Sequence, residues 1–147
     1  MKSVHDEIVI NAPPERVWQI LTDFAAFPRW NPFIREARGR LRPGARLLVR
    51  LKIVGPRPSS FRPTVRVVDP PHELRWLART GRPGVFDVER SFRIVAEGDG
   101  GSRLIQHESC TGVLAPLLFA AGIGRPILRG YRAMNAVLKA RAEGSVP

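Results

Sequence analysis

Apolar positions alternate along most of this chain and take helical spacing mainly near its two ends. Residues 3–11, SVHDEIVIN, put Ile8 and Ile10 on one face of a strand. Ala12-Pro13-Pro14 ends that strand, and Pro14 suits the first turn of a helix, where its missing N–H costs nothing. Glu15 favours the positive end of the same helix. Val17, Trp18, Leu21 and Phe24 then follow at helical spacing. Pro28 and Pro32 limit a second helix to a turn or two around Asp23–Phe27.

From there the period is two. Strands are predicted at 34–40, 45–53, 61–68, 73–80, 85–96 and 102–111. Gly- and Pro-rich turns separate them, and such short links favour an antiparallel meander. Helical spacing returns from about 126 to 142, where Ile127, Tyr131, Met134 and Leu138 form a stripe widened by Val137. The opposite face is read as Arg132, Asn135, Lys139 and Glu143. The fold class is therefore α+β. A seven-stranded curved antiparallel sheet wraps on a long C-terminal helix, with two short helices between strands 1 and 2. A curved sheet and one helix touch along a line and leave room for an apolar cavity beside it.

Length and composition keep this picture simple. The 147 residues suit one domain, 1–147, with 44% hydrophobic residues. A lone cysteine, Cys110, excludes an intrachain disulfide and points to a reducing, cytoplasmic setting. The start, MKSVHDEIVINAPP, lacks the apolar core of an export signal. The longest apolar run, VLAPLLFAAGIG at 113–124, is too short to span a bilayer. It reads as a buried segment, with a lid or surface-docking loop as the alternative.

Charge adds one question. The net charge is +11, and Lys2, Lys52 and Lys139 are the only lysines, so arginine supplies 21 of the 24 basic residues. They are scattered and often alternate with apolar residues, as in RLLVRLK, which is the pattern of a solvated strand face. No basic run interleaves with stacking aromatics, which argues against nucleic acid and leaves a transient anionic-surface contact open. Neither a metal nor an organic cofactor is indicated. His107 and Cys110 point to opposite faces of one strand, and His5 and His72 have no ligand-spaced companion in the sequence. No nucleophilic triad or phosphate loop stands out. No pattern sets an oligomeric state.

Several strings resemble the SRPBCC superfamily (START-like, helix-grip proteins), and most of all its small bacterial polyketide cyclase/dehydrase group. The strings that carry it are IVINAPPERVWQILTDFAAFPRWNPF, FRPTVRVVDPPHELRW, GGSRLIQHESCTG and MNAVLKARAE, and the resemblance extends over essentially the whole chain. The resemblance implies a pocket for a hydrophobic molecule between sheet and long helix, closed at one end by the two short helices. It implies no particular catalytic residue. Five of the eleven aromatics, Trp18, Phe24, Phe27, Trp30 and Phe33, sit where those short helices would be. Trp30 and Phe33 would stand near the rim, either as packing or as ligand contacts.

Strand alternation then names polar groups inside. Pairing Ala96 with Ser102 sets Phe92 against Gln106, Arg90 against Glu108, and Val88 against Cys110, all on one face. An unpaired charge there would cost several kcal/mol, so Arg90 and Glu108 should pair. The pair is either structural or a handle for the polar end of an apolar ligand, with Gln106 beside it. In an enzyme, Glu108 could be a general base and Arg90 an enolate stabiliser. The other wall candidates are Leu51, Phe61, Trp76, Val88, Tyr131 and Met134, with Val49 and Val65 as companions. Three functions follow: a carrier or sensor of a lipid, isoprenoid or polyketide-like molecule; a cyclase or dehydrase using the same cavity; or an interaction protein docking through a basic sheet face.

Overall fold

The computed structural model describes residues 2–53 and 55–144. The outermost residues of the expected 1–147 domain, 1 and 145–147, lie outside the described residues. Strand β1 (Lys2–Ile10) leads into α1 (Pro14–Thr22), a 3-10 turn (Phe24–Ala26) and α2 (Phe27–Trp30). Strands β2 (Ile34–Arg38), β3 (Leu48–Leu51), β4 (Ser59–Phe61), β5 (Thr64–Asp69), β6 (Glu73–Thr80), β7 (Phe86–Glu97) and β8 (Gly101–Thr111) follow. Helices α3 (Ala115–Ala120) and α4 (Gly124–Ala142) complete the order.

The fold is the helix grip: a curved antiparallel sheet with a long C-terminal helix. The continuous seven-stranded sheet is corrected to two sheets. Five strands run β1-β8-β7-β6-β5, and three run β2-β3-β4. The expected strand 61–68 divides at Pro63, which has no N–H to offer a ladder. Its first residue joins β3 through Val49↔Phe61, while the rest pairs with β6. An isolated Arg46↔Thr64 bridge links the two sheets.

Two helix boundaries also move. The second short helix runs on to Trp30, because Pro28 stands in the first turn of α2, where no backbone bond is lost. The last helix begins at Gly124, with Pro126 in its first turn for the same reason. The 113–124 run is not a buried segment. Val113, Leu114 and Leu117 are exposed, and only Ala115 is fully buried. Asn135, assigned to the wet face of α4, is buried instead because its amide bonds Gln106 and Asp6.

The β7–β8 register is the one predicted: Phe92↔Gln106, Arg90↔Glu108, Val88↔Cys110 and Ala96↔Ser102. The core lies between the inner face of the five-stranded sheet, α4, and the aromatic elbow of α1 and α2. Phe24, Phe27 and Trp30 stack edge-to-face at centroid distances of 5.2 and 5.4 Å. Trp18 is half-buried against this core. No helix among the described residues is long and apolar enough to cross a membrane.

Candidate functional site: a cavity with an ion pair in its wall

A cavity of about 250 Å³ opens between the two sheets and the α3–α4 corner. From the three-stranded sheet and the link after β4 come Val49, Leu51, Phe61 and Pro63, with Ile53 beside them. Strands β6, β7 and β8 give Trp76, Ala78, Thr80, Phe86, Val88, Arg90 and Glu108. Leu118, Ile123 and Ile127 close the helical side. Thr80 is exposed and Arg90 and Glu108 are buried, so the wall is apolar except for one rim hydroxyl and one buried ion pair.

Arg90 Nη2 donates to Glu108 Oε1 at 2.6 Å, with both side chains at most 3% exposed. The guanidinium lies over the rings of Phe33 and Tyr131, its Cζ 5.1 Å from each centroid. Those two rings meet edge-to-face at 5.6 Å. Phe33 in turn rests on α4 at Gly130, where a Cβ would stand 2.7 Å from ring carbon Cγ. Burial opposes the Arg90 charge, but Tyr131 and Glu108 outweigh it, and the net direction is upward. Burial pushes the Tyr131 hydroxyl well above the usual phenol range, so it stays a proton donor. Burial, and then the Glu108 carboxylate, push the Cys110 thiol up to about 12.

Hydrogen bonding at this pair is incomplete. Arg90 Nε and Nη1 and the Tyr131 hydroxyl are buried without a well-aligned hydrogen bond, although the hydroxyl and the guanidinium interact with each other. A guanidinium normally uses several of its five donors when buried, and an unmet buried donor costs about 1–3 kcal/mol. Nearby, Gln106 Nε2 donates to Asn135 Oδ1 at 2.6 Å, and Asn135 Nδ2 donates to Asp6 Oδ2 at 2.9 Å. That relay ties sheet, helix and β1 together behind the cavity.

The structure thus brings Leu51, Phe61, Trp76, Val88, Arg90 and Glu108 to one cavity wall. Phe33 and Tyr131 stand behind Arg90, and Gln106 and Met134 lie in the core. Trp30 faces a separate groove beside Arg16, Asp23 and Arg141. Sequence reasoning left the rim out of the wall. Ile53, Pro63, Leu118 and Ile123 lie in loops and at the helical corner, where no period of two applies, whereas Ala78, Thr80 and Phe86 share the inner faces of β6 and β7 with Trp76 and Val88 and were legible from alternation. It also missed the cross-strand His5↔His107 pair, whose Nδ1 atoms are 3.3 Å apart. Among the described residues no group of three or more His, Cys, Asp or Glu could hold a metal ion.

The profile of the family described as polyketide cyclase / dehydrase and lipid transport matches residues 1–143. The chain belongs to this family. The solved structures like this family member include the Zhui aromatase/cyclase from Streptomyces sp. R1128. It superposes with a TM-score of 0.79 at 14% identity, covering 99% of this chain and 96% of that one. A START superfamily protein from Mycobacterium smegmatis gives 0.74 at 20% identity, covering 98% and 99%. The di-domain ARO/CYC BexL of the BE-7585A biosynthetic pathway gives 0.76 at 18% identity, covering all of this chain and 48% of that one. At these identities the likeness is one of fold. No curated protein matches the chain by sequence.

Proposed function

We propose that this family member is a cytoplasmic carrier or sensor of an apolar small molecule bearing one hydrogen-bond-accepting oxygen. The observation that carries this reading is the Arg90 guanidinium, with two donors that lack a well-aligned protein acceptor, in a cavity wall that is apolar apart from its partner Glu108 and the Thr80 hydroxyl at the rim. Apolar walls would hold the body of the ligand, and Arg90 would orient its polar end. Glu108 already balances the Arg90 charge, so a carboxylate would leave an extra buried negative charge. A neutral carbonyl oxygen fits better, and polyketide-like molecules, ester lipids and isoprenoid ketones or quinones carry one. The family description and the aromatase/cyclase neighbour support this ligand class.

The test compares 2-acetylnaphthalene with 2-isopropylnaphthalene, which have one shape and differ in the acceptor. Wild type should bind the ketone about tenfold more tightly, since a hydrogen bond to a charged group contributes about 1.5–3 kcal/mol. Arg90→Met/Glu108→Leu, which removes the pair without stranding a charge, should erase the preference while still binding both compounds. Equal binding of the two by wild type would refute the anchoring role of Arg90. Binding of neither would refute the ligand cavity.

Glu108 and Arg90 lining one cavity favour a second reading, a cyclase or dehydrase-type enzyme. Glu108 would abstract a proton next to the carbonyl, and Arg90 would stabilise the enolate oxygen. Glu108→Gln would then bind a ketone substrate normally and lose turnover.

A further inference from the structure

The exposed large hydrophobic residues are not spread evenly over the described surface. Of the five, Val9 and Val95 lie on strands, while Val113, Leu114 and Leu117 gather at the α3 corner. Val113 is 77% exposed and Leu117 is 64% exposed. The next residue along, Leu118, lines the cavity. Helix α3 (APLLFA) is therefore apolar on its outer side as well as on the side it presents to the protein. An apolar helix in a water-soluble fold normally buries all such faces, and a cluster of this kind marks a contact site.

The corner is fixed in place. Val113 N–H donates to Gly84 O at 2.9 Å, and Leu114 N–H donates to Val85 O at 3.0 Å. Gly112 allows this approach: its φ is 105°, and a Cβ would stand 2.5 Å from Val85 O. The β6–β7 turn thus sits beside the apolar tip and brings exposed Arg82 with it. On the other flank, Arg125 shares a groove with Phe119 and Gly122, and Arg129 follows one turn later on α4. Arg82, Arg125 and Arg129 are exposed and make no ion pair among the described residues. From 109 to 142 the chain contains no Asp or Glu at all.

We propose that the α3 corner docks on an anionic lipid bilayer, with Val113, Leu114 and Leu117 entering the headgroup region and Arg82, Arg125 and Arg129 contacting acidic headgroups. An apolar insertion combined with a basic flank supplies the two signals that reversible membrane binding needs. In this orientation α3 lies between bilayer and cavity, with Leu117 on the membrane side and Leu118 on the cavity side. An apolar ligand would then pass between membrane and cavity without crossing water. The docking surface stands independently of what the cavity holds, and the two readings fail separately.

The test is cosedimentation of the full chain with vesicles of 30% phosphatidylserine in phosphatidylcholine, against pure phosphatidylcholine, at two salt concentrations. Wild type should bind the anionic vesicles and be released by high salt. Val113→Asp/Leu117→Asp should lower the partition at least tenfold. Both positions are exposed, so the fold and the binding of 2-acetylnaphthalene should not change. Arg82→Gln/Arg125→Gln/Arg129→Gln should also lose at least tenfold, at about fivefold for each arginine that reaches the leaflet. Unchanged sedimentation of the aspartate variant would overturn the proposal. So would a wild-type dimer that the aspartate variant converts to monomer with no effect on vesicle binding, since a second copy of the chain would then be the occupant.

Discussion

Gly130→Ala tests the packing that holds the ion pair in place. Elsewhere on an exposed helix this change stabilises a protein by about 0.8–1 kcal/mol through helix propensity. Here the new Cβ would stand 2.7 Å from Phe33 Cγ and closer still to Cδ1 and Cε1, against 3.4–4 Å for ordinary contact. Phe33 is 1% exposed and sits against Tyr131 and the Arg90 guanidinium, so its ring has nowhere to move. Overpacking costs about 1–3 kcal/mol, and a ring so confined belongs at the upper end. Subtracting the propensity gain leaves a net destabilisation of about 2 kcal/mol. For a chain of this length that is a fall in Tm of about 4–8 °C. Urea denaturation of the double-mutant cycle with Phe33→Ala isolates the cause. Without the ring, Gly130→Ala should stabilise by about 1 kcal/mol, so the sign of its effect reverses. A Tm at or above wild type for Gly130→Ala alone would refute the argument, as would the same sign in both backgrounds.

Other outcomes follow from the same structure. Glu108→Leu strands the Arg90 charge and should cost about 3–5 kcal/mol, while Arg90→Met/Glu108→Leu should recover most of it; calorimetry reads both. Cys110 should resist iodoacetamide at pH 8 in the folded protein and react once unfolded, because burial and Glu108 hold its thiol at about 12. Rapid native labelling would contradict that environment. Burial, and then His5, lower the pKa of His107 below 6.5, so the unfolded chain takes up this proton at a higher pH than the folded one. That contribution to stability is full above about pH 6.5 and is lost as pH falls towards the folded pKa. His107→Gln should flatten the slope of Tm against pH in this window, and an unchanged slope would sink the assignment.

Much of the fold was legible in the sequence because it depends on local periods and on chain chemistry. Alternation over 85–96 and 102–111, with a Gly-rich turn between, determined the β7–β8 register, and with it the Arg90–Glu108 pair. The helical stripe of Ile127, Tyr131, Met134 and Leu138 determined the buried face of α4. Other features depend on contacts between residues far apart in sequence. Asn135 looks like a surface residue by spacing and is buried because Gln106 and Asp6 reach it. His5 and His107 meet only because β1 adds to the edge of β8. One proline, Pro63, passes the chain from one sheet to the other, and the division into five and three strands follows from which neighbours each half finds. The apolar run at 113–124 shows the limit most plainly. Its composition fitted a buried segment, but whether a side chain meets water depends on what packs over it, and nothing in the described fold covers Val113, Leu114 or Leu117. Periodicity sets which residues share a face. Only the assembled structure decides whether that face meets core, cavity or solvent.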